Sequence, residues 1–152
     1  MARPYLWRFW NKLLEQETIS IFDRSWYGRV LVERVEGFAS DVQWKRAYDE
    51  INRFEKDLSD TQTVVVKFWL AISKEEQEAR FKARELTPHK RFKITAEDWR
   101  NRGRWDDYLT SAADMLERTH TDHAPWYVIA TNDKYSARIQ ILKALLKQLK
   151  VD

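Results

Sequence analysis

Apolar residues recur along the chain at two spacings, which predict alternating helices and buried strands. Three short apolar runs predict strands at residues 18–22, 63–72 and 126–130. Residues 63–72 are apolar at nearly every position except Lys67, as is typical of a strand covered on both faces of a parallel sheet. The strands therefore point to a buried parallel sheet.

Apolar residues three or four positions apart predict helices around these strands. Residue types that favour helix N-termini place the helix starts at Pro4, Ser25, Asp41, Ser73, Thr95 and Asn132-Asp133. The helix after Asp41 carries an apolar stripe of Trp44, Tyr48, Ile51, Phe54 and Leu58. The helix of residues 96–118 is expected to break at Gly103. The last helix is expected to turn inward Ile139, Leu142, Leu145, Leu146 and Leu149.

The element order is helix, strand, helices, strand, helices, strand, helix. This order predicts an α/β fold with a parallel sheet and helical crossovers. Nothing in the sequence indicates a repeat or a linker, so we expect one domain over residues 1–152.

Composition narrows the class of protein. Hydrophobic residues make up 43% and charged residues 34%, with three glycines and three prolines, as in a soluble globular domain. The absence of cysteine excludes a disulfide framework and thiolate metal sites. No run of residues is apolar enough for a membrane helix or resembles a signal peptide, so we expect a cytoplasmic protein.

The net charge of +3 is modest, but its distribution is uneven. Cations outnumber carboxylates between Arg80 and Arg104, which is compatible with a polyanionic partner. A solvated helix face explains the charge pattern equally well.

The residues with the clearest chemistry follow the first predicted strand. Asp23 is expected at the carboxyl end of a buried strand, where open α/β sheets bind ligands and where an aspartate can hold Mg²⁺. Arg24 and Arg29 follow, and arginine donates hydrogen bonds in pairs to phosphate oxygens. The simpler alternative is that Asp23 caps a helix and Arg24 pairs with a surface carboxylate.

Several segments, in order along almost the whole chain, resemble the polyphosphate kinase 2 family. The segment D-R-S-W-Y-G-R at residues 23–29, continued by V-L-V-E-R-V, resembles the family's Walker B segment. Residues 5–10 resemble the family's preceding helix, and residues 67–77 its next strand and helix start. The lid module is resembled by residues 90–93, 98–102 and 105–108, and the last strand and loop by residues 123–126 and 132–134.

The resemblance is greatest to the C-terminal half of two-domain polyphosphate:AMP phosphotransferases. It implies a three-layer α/β/α, P-loop-kinase-like fold and Mg²⁺-dependent phosphoryl transfer from inorganic polyphosphate to AMP, with ADP as another possible acceptor. It assigns Asp23 to the metal and catalytic centre, with Arg24 and Arg29 holding phosphates. It also implies a lid at about residues 84–104 and substrate-binding roles for Lys67, Arg84, Lys90, Arg91, Lys93, Arg100 and Arg102.

The family's glycine-rich phosphate loop, which ends in lysine, has no counterpart in this sequence, where the first glycine is Gly28. In related P-loop kinases the strand before that loop lies centrally, between strands matching residues 18–22 and 63–72. We therefore expect an N-terminally truncated sheet without its central strand. Such a chain would be inactive alone, or would associate with further copies or with another chain that supplies the segment.

Two functions without catalysis stay open on the sequence. One is a basic, tryptophan-rich module that binds polyanions or nucleic acids, and the other is an assembly partner. A nucleotide-kinase assay with polyphosphate separates both from the enzyme, and salt-dependent binding to polyphosphate or RNA separates the two from each other.

Overall fold

A computed structural model describes residues 3–13 and 18–150, apart from the side chains of residues 90, 91 and 93. Leu14, an apolar position of the helix predicted to start at Pro4, lies outside the described residues. The helices are α1 Trp7–Trp10, α2 Val32–Val35, α3 Asp41–Asp60, α4 Lys74–Glu85, α5 Ala96–Gly103, α6 Trp105–Thr119 and α7 Lys134–Leu149, and the strands are β1 Lys67–Ala71 and β2 Trp126–Ala130. Two 3₁₀ helices lie at Trp26–Arg29 and Pro88–Lys93.

The two strands confirm the predicted α/β fold with a parallel sheet. β1 and β2 pair in parallel, in a register that runs from Lys67 opposite Trp126 to Ala71 opposite Ala130. The connection between them contains α4, α5 and α6, as a parallel pair requires. Both strands therefore end at the same edge of the sheet.

The predicted strand at residues 18–22 is wrong for the described structure. These residues have no assigned strand, and the side chains of Ile19 and Ile21 are 77% and 90% exposed. A strand requires a neighbour to take up its backbone N–H and C=O groups, and the two described strands pair only with each other. The apolar pattern was therefore recognised, but its partner is not among the described residues.

Helix α3 forms the centre of the core, as its stripe predicts. Tyr48, Ile51, Phe54 and Leu58 are buried, and Trp44 packs against the core. The N-cap is Ser40 and not the predicted Asp41, because Ser40 and Gln43 form a reciprocal capping box.

The helix breaks lie close to their predicted positions. Thr95 and Asp98 form the expected capping box at the start of α5. Gly103 ends α5, and α6 begins at Trp105. The single helix expected after Ser25 is instead a 3₁₀ turn followed by α2, which ends before Gly37, a glycine with a φ of 72°.

The prediction that α7 turns its large apolar residues inward is wrong for four of the five, and the fifth, Leu145, is half-buried. The side chains of Ile139, Leu142, Leu146 and Leu149 are 41 to 58% exposed. The buried residues of α7 are Ala137 and Ala144, because this helix lies against β2 through its small side chains. No helix in the described ranges combines the length and the apolar character needed to cross a membrane.

Candidate phosphate site

The segment of residues 23–29, called here the 23–29 segment, follows the exposed residues 18–21 and the half-buried Phe22 and leads into the first 3₁₀ helix. Asp23 and Arg24 are exposed, and Asp23 forms no hydrogen bond or ion pair with any described residue. Arg24 has a φ of 56°, a left-handed conformation that costs a non-glycine residue about 1–2 kcal/mol. The chain thus turns sharply where these two charged side chains face solvent.

Arg29 is held on two sides. Its Nη1 lies 2.9 Å from Oε2 of Glu33, and its guanidinium lies 4.1 Å from the centre of the Tyr5 ring. The Arg29 side chain is 15% exposed. A guanidinium that already faces a carboxylate is oriented for an anion, and a phosphate could replace Glu33 as its partner.

The buried aromatic residues of the 23–29 segment attach it to α3. The indole Nε1 of Trp26 donates to Oε1 of Glu55 at 2.9 Å, and the Tyr27 hydroxyl donates to the same oxygen at 2.7 Å. Both aromatic side chains and Glu55 are buried. The exposed charged residues of the segment are therefore adjacent to residues that are fixed to α3 by hydrogen bonds.

Lys67 lies away from the carboxyl edge of the sheet, where open α/β sheets bind ligands. It begins β1, so it is at the amino end of the strand and not near the carboxyl edge. Its Nζ is buried and donates to Glu55 at 2.7 Å, to the Tyr27 hydroxyl at 2.9 Å and to the Thr119 carbonyl at 2.6 Å. All three protons of the ammonium are thereby used within the protein, which argues against the substrate contact expected for Lys67.

Burial shifts the titration of this cluster. Desolvation lowers the pKa of Lys67, although the Glu55 carboxylate opposes the shift. Desolvation, and then the charge of Glu55, raises the pKa of Tyr27 far above its ordinary value. The Tyr27 hydroxyl therefore remains a proton donor at any physiological pH.

The sequence contained an unused signal for this cluster. Glu55 lies in the apolar stripe of α3, four residues after Ile51 and three before Leu58. Lys67 is the one charge in the apolar run of residues 63–72. Two single charges of opposite sign on buried faces indicate a buried ion pair.

Three arginines of the proposed lid are held by carboxylates. Arg102 donates to the Lys74 carbonyl at 2.6 Å and to Oε2 of Glu78 at 2.6 Å, which fastens α5 to α4. Nε of Arg100 lies 3.5 Å from Oε2 of Glu36, and Nη1 of Arg104 lies 3.8 Å from the other oxygen of Glu36. The side chain of Glu36, which the sequence did not single out, is 7% exposed and links α5 to the end of α2.

The remaining cations of this region are less constrained by the structure. Arg84 is half-buried near the end of α4. The backbone of Pro88–Lys93 forms a 3₁₀ helix. The side chains of Lys90, Arg91 and Lys93 lie outside the described part, so the substrate-binding roles expected for them stay predictions.

Acidification is expected to loosen α5 from α4. The hydrogen bond and charge of Lys82, followed by the charge of Arg102, hold the pKa of Glu78 below its ordinary value. The ion pair with Arg102 therefore stabilises the contact above the ordinary glutamate pKa of about 4.3, and this contribution is lost as the pH falls through the lowered value. Amide hydrogen exchange in α5, corrected for intrinsic rates, should accelerate over this range. In Glu78→Gln that acceleration should be absent. If the variant and the original protein showed the same dependence of exchange on pH, the role assigned to Glu78 would be contradicted.

The carboxylates of the described residues do not form a closed metal site. No group of three or more His, Asp or Glu side chains in residues 3–13 and 18–150 could hold a metal ion. Asp23 is a single exposed carboxylate. This donor set fits Mg²⁺, which is commonly bound through one or two carboxylates together with water and substrate phosphates.

Comparison with known proteins assigns the fold and the segment to one family. The family described as Polyphosphate kinase 2 matches residues 1–152. A polyphosphate:AMP phosphotransferase of Acinetobacter johnsonii is 71% identical over 152 residues, and the match covers all of this chain and 32% of that protein. An ADP-polyphosphate phosphotransferase of Pseudomonas aeruginosa is 39% identical, with 95% of this chain and 48% of that protein covered.

Solved structures agree with these relatives. A crystal structure from Pseudomonas aeruginosa PA01 superposes with a TM-score of 0.95 at 54% identity and covers 98% of this chain and 32% of that one. Polyphosphate kinase 2 from Arthrobacter aurescens TC1 superposes with a TM-score of 0.94 at 38% identity, over 98% of this chain and 53% of that one. The chain thus spans about a third to a half of the relatives that it matches. With a family match from the first residue to the last and a superimposable fold, the chain belongs to the polyphosphate kinase 2 family.

Proposed function

We propose that this chain contributes the acceptor-phosphate and lid elements of a polyphosphate-dependent nucleotide phosphotransferase. The supporting observation is the 23–29 segment, whose buried aromatic residues are tied to α3 while Asp23 and Arg24 face solvent. Phosphoryl transfer depends on fixed charges that position phosphates and on neutralisation of negative charge. The turn at Asp23 and Arg24 meets this requirement, because the residues that follow it are hydrogen-bonded to α3.

Asp23 is the residue that would hold Mg²⁺, which when bound neutralises phosphate charge. Arg24 reaches solvent beside it, and Arg29 provides a guanidinium already oriented by Glu33 and Tyr5. These two arginines would bind phosphate oxygens through paired hydrogen bonds. No side chain has to act as a nucleophile, because the acceptor phosphate itself attacks.

The lid cations would exchange partners when polyphosphate arrives. Arg100 lies 3.5 Å from Glu36, at the weak end of an ion pair, and its side chain is 55% exposed. Glu36 is buried but also faces Arg104, so a polyphosphate oxygen can replace it beside Arg100 without leaving the carboxylate unpaired. Arg102 is more firmly held by α4 and would instead fix the base of the lid.

AMP is the proposed acceptor, with ADP as product. The relative from Acinetobacter johnsonii, at 71% identity, is named a polyphosphate:AMP phosphotransferase, whereas the named ADP-polyphosphate phosphotransferase from Pseudomonas aeruginosa is 39% identical. The higher identity favours AMP. A relative from Meiothermus ruber is named for both AMP and ADP, so use of ADP as a second acceptor is part of the same test.

The phosphate loop that this sequence lacks would be supplied by another segment or another copy of the protein. Residues 18–22 expose apolar side chains and have no strand beside them in the described structure, which suits a strand from another segment or another copy. Association with a chain that carries the phosphate loop would complete both the sheet and the site.

Replacing Arg24 by alanine is expected to weaken Mg²⁺-dependent binding of polyphosphate by about tenfold, the loss typical of one charge-assisted hydrogen bond. Isothermal titration with inorganic polyphosphate measures this change. Arg53→Ala is the matched control, because Arg53 is exposed on α3 outside the proposed site. Equal losses in the two variants would show that binding depends only on net charge. That result would favour the alternative function, a polyanion-binding module without catalysis.

A further inference from the structure

We propose that Glu55 and Lys67 are positioning residues that set the geometry of the 23–29 segment. The inference rests on the proposed function and adds a pair that touches no substrate. The resemblance implied a substrate-binding role for Lys67, whereas its contacts place it among the buried residues that hold the 23–29 segment.

The pair reaches the segment through two adjacent residues. Oε1 of Glu55 accepts hydrogen bonds from Trp26 and Tyr27, while Oε2 accepts from Lys67. Lys67 also donates to the Tyr27 hydroxyl at 2.9 Å. The Tyr27 hydroxyl therefore has both its donor and one acceptor position filled, which fixes the rotation of its O–H bond as well as the position of its ring.

The same pair ties the segment to α6. Lys67 donates to the Thr119 carbonyl at the end of α6, and the Thr119 hydroxyl accepts from the indole of Trp126 at 2.8 Å. Helix α6 follows α5, which carries the proposed lid cations. One buried ion pair thus connects the 23–29 segment, both strands and the helix that leads back to the lid.

Stability alone does not account for a buried ion pair. Removing two charges from water is costly, and apolar residues of similar volume often replace such a pair without loss of stability. Apolar residues, however, cannot accept hydrogen bonds from Trp26 and Tyr27. Directional anchoring of the 23–29 segment is what the charged pair adds.

The first test is amide hydrogen exchange by NMR in Tyr27→Phe, which removes one hydroxyl and keeps the ring. The amides of Gly28, Val30 and Leu31 report on the segment, because they donate to the carbonyls of Ser25 and Tyr27. Their exchange should accelerate about tenfold, as the loss of a shared hydrogen bond predicts. Tyr48→Phe is the matched control, since Tyr48 is a buried tyrosine of the same core whose hydroxyl accepts from Arg34 instead. It should leave these three amides within about twofold of the original rate.

The second test separates positioning from stability. The double variant Glu55→Leu with Lys67→Met leaves no unpaired charge, so it is expected to melt above Glu55→Leu alone while retaining the fast exchange of the reporter amides. Its affinity for inorganic polyphosphate with Mg²⁺ should be about three- to tenfold weaker, the range for lost hydrogen bonds. Unchanged exchange in both Tyr27→Phe and the double variant would overturn the inference, as would changed exchange with unchanged affinity. If the original protein binds no polyphosphate, the proposed function fails, and the exchange data still decide whether the pair positions the segment.

Discussion

Replacing Glu55 alone by leucine should lower the free energy of unfolding by about 3–5 kcal/mol, because a buried charge then loses its partner. Lys67 would be left with a buried ammonium, and Trp26 and Tyr27 would lose their acceptor. For a chain of this length each kcal/mol corresponds to a shift of about 2–4 °C in the melting temperature. Urea denaturation and thermal melting followed by circular dichroism measure both quantities.

The chain offers a matched control on the same helix. Glu50 forms an exposed i,i+4 pair with Arg46, and Glu50→Leu should change the free energy of unfolding by about 0.5 kcal/mol or less. Adding Lys67→Met to Glu55→Leu should recover part of the loss, because no uncompensated charge remains although Trp26 and Tyr27 still lack an acceptor. Equal destabilisation by the single and double variants would argue that the ion pair itself, and not an abandoned charge, holds the core together.

The chain alone is expected to form no measurable ADP from AMP, inorganic polyphosphate and Mg²⁺. Asp23 and the arginines can position phosphates, but this sequence contains no glycine-rich loop to surround the transferred group with backbone donors. Loss of one preorganised oxyanion donor typically lowers the rate on the order of a hundred- to a thousandfold, and loss of the whole loop should lower it further.

The comparison requires a chain that has the loop. A chimera that joins this chain to the unmatched part of the Acinetobacter johnsonii relative should produce ADP if that part supplies the loop, with the full-length relative as the positive control. Asp23→Asn in the chimera should abolish that activity, whereas Arg53→Ala should preserve it. Comparable turnover by the isolated chain and the chimera would show that some residue in this chain replaces the loop.

Local patterns were sufficient to predict most of the elements. Apolar spacing identified α3 and its buried face, and turn chemistry identified the Thr95 cap and the break after Gly103. These features depend on residues close together in sequence. The parallel pairing of β1 and β2 followed from the helices between them, which leave little alternative to a crossover.

The failures share a different physical cause. The apolar character of residues 18–22 and of α7 indicates surfaces that pack, but packing requires a neighbour, and periodicity cannot reveal whether that neighbour is present. The buried pairing of Lys67 was not predicted for a related reason. A single charge in an apolar strand can mark a binding site or one half of a buried pair, and the choice depends on Glu55, twelve residues away on another element.

The exposed face of α7 has a consequence for the behaviour of the chain in solution. Its apolar side chains Ile139, Leu142, Leu146 and Leu149 recur at intervals of three and four residues, and every charged residue from 134 to 149 is a lysine or arginine. Two such faces attract each other through their apolar stripes and repel each other through their charges. Screening becomes effective when the Debye length falls from about 30 Å at 0.01 M salt to about 3 Å at 1 M. Chains should therefore associate more readily as salt is added, and the protein should remain soluble for longer when it is stored at low ionic strength.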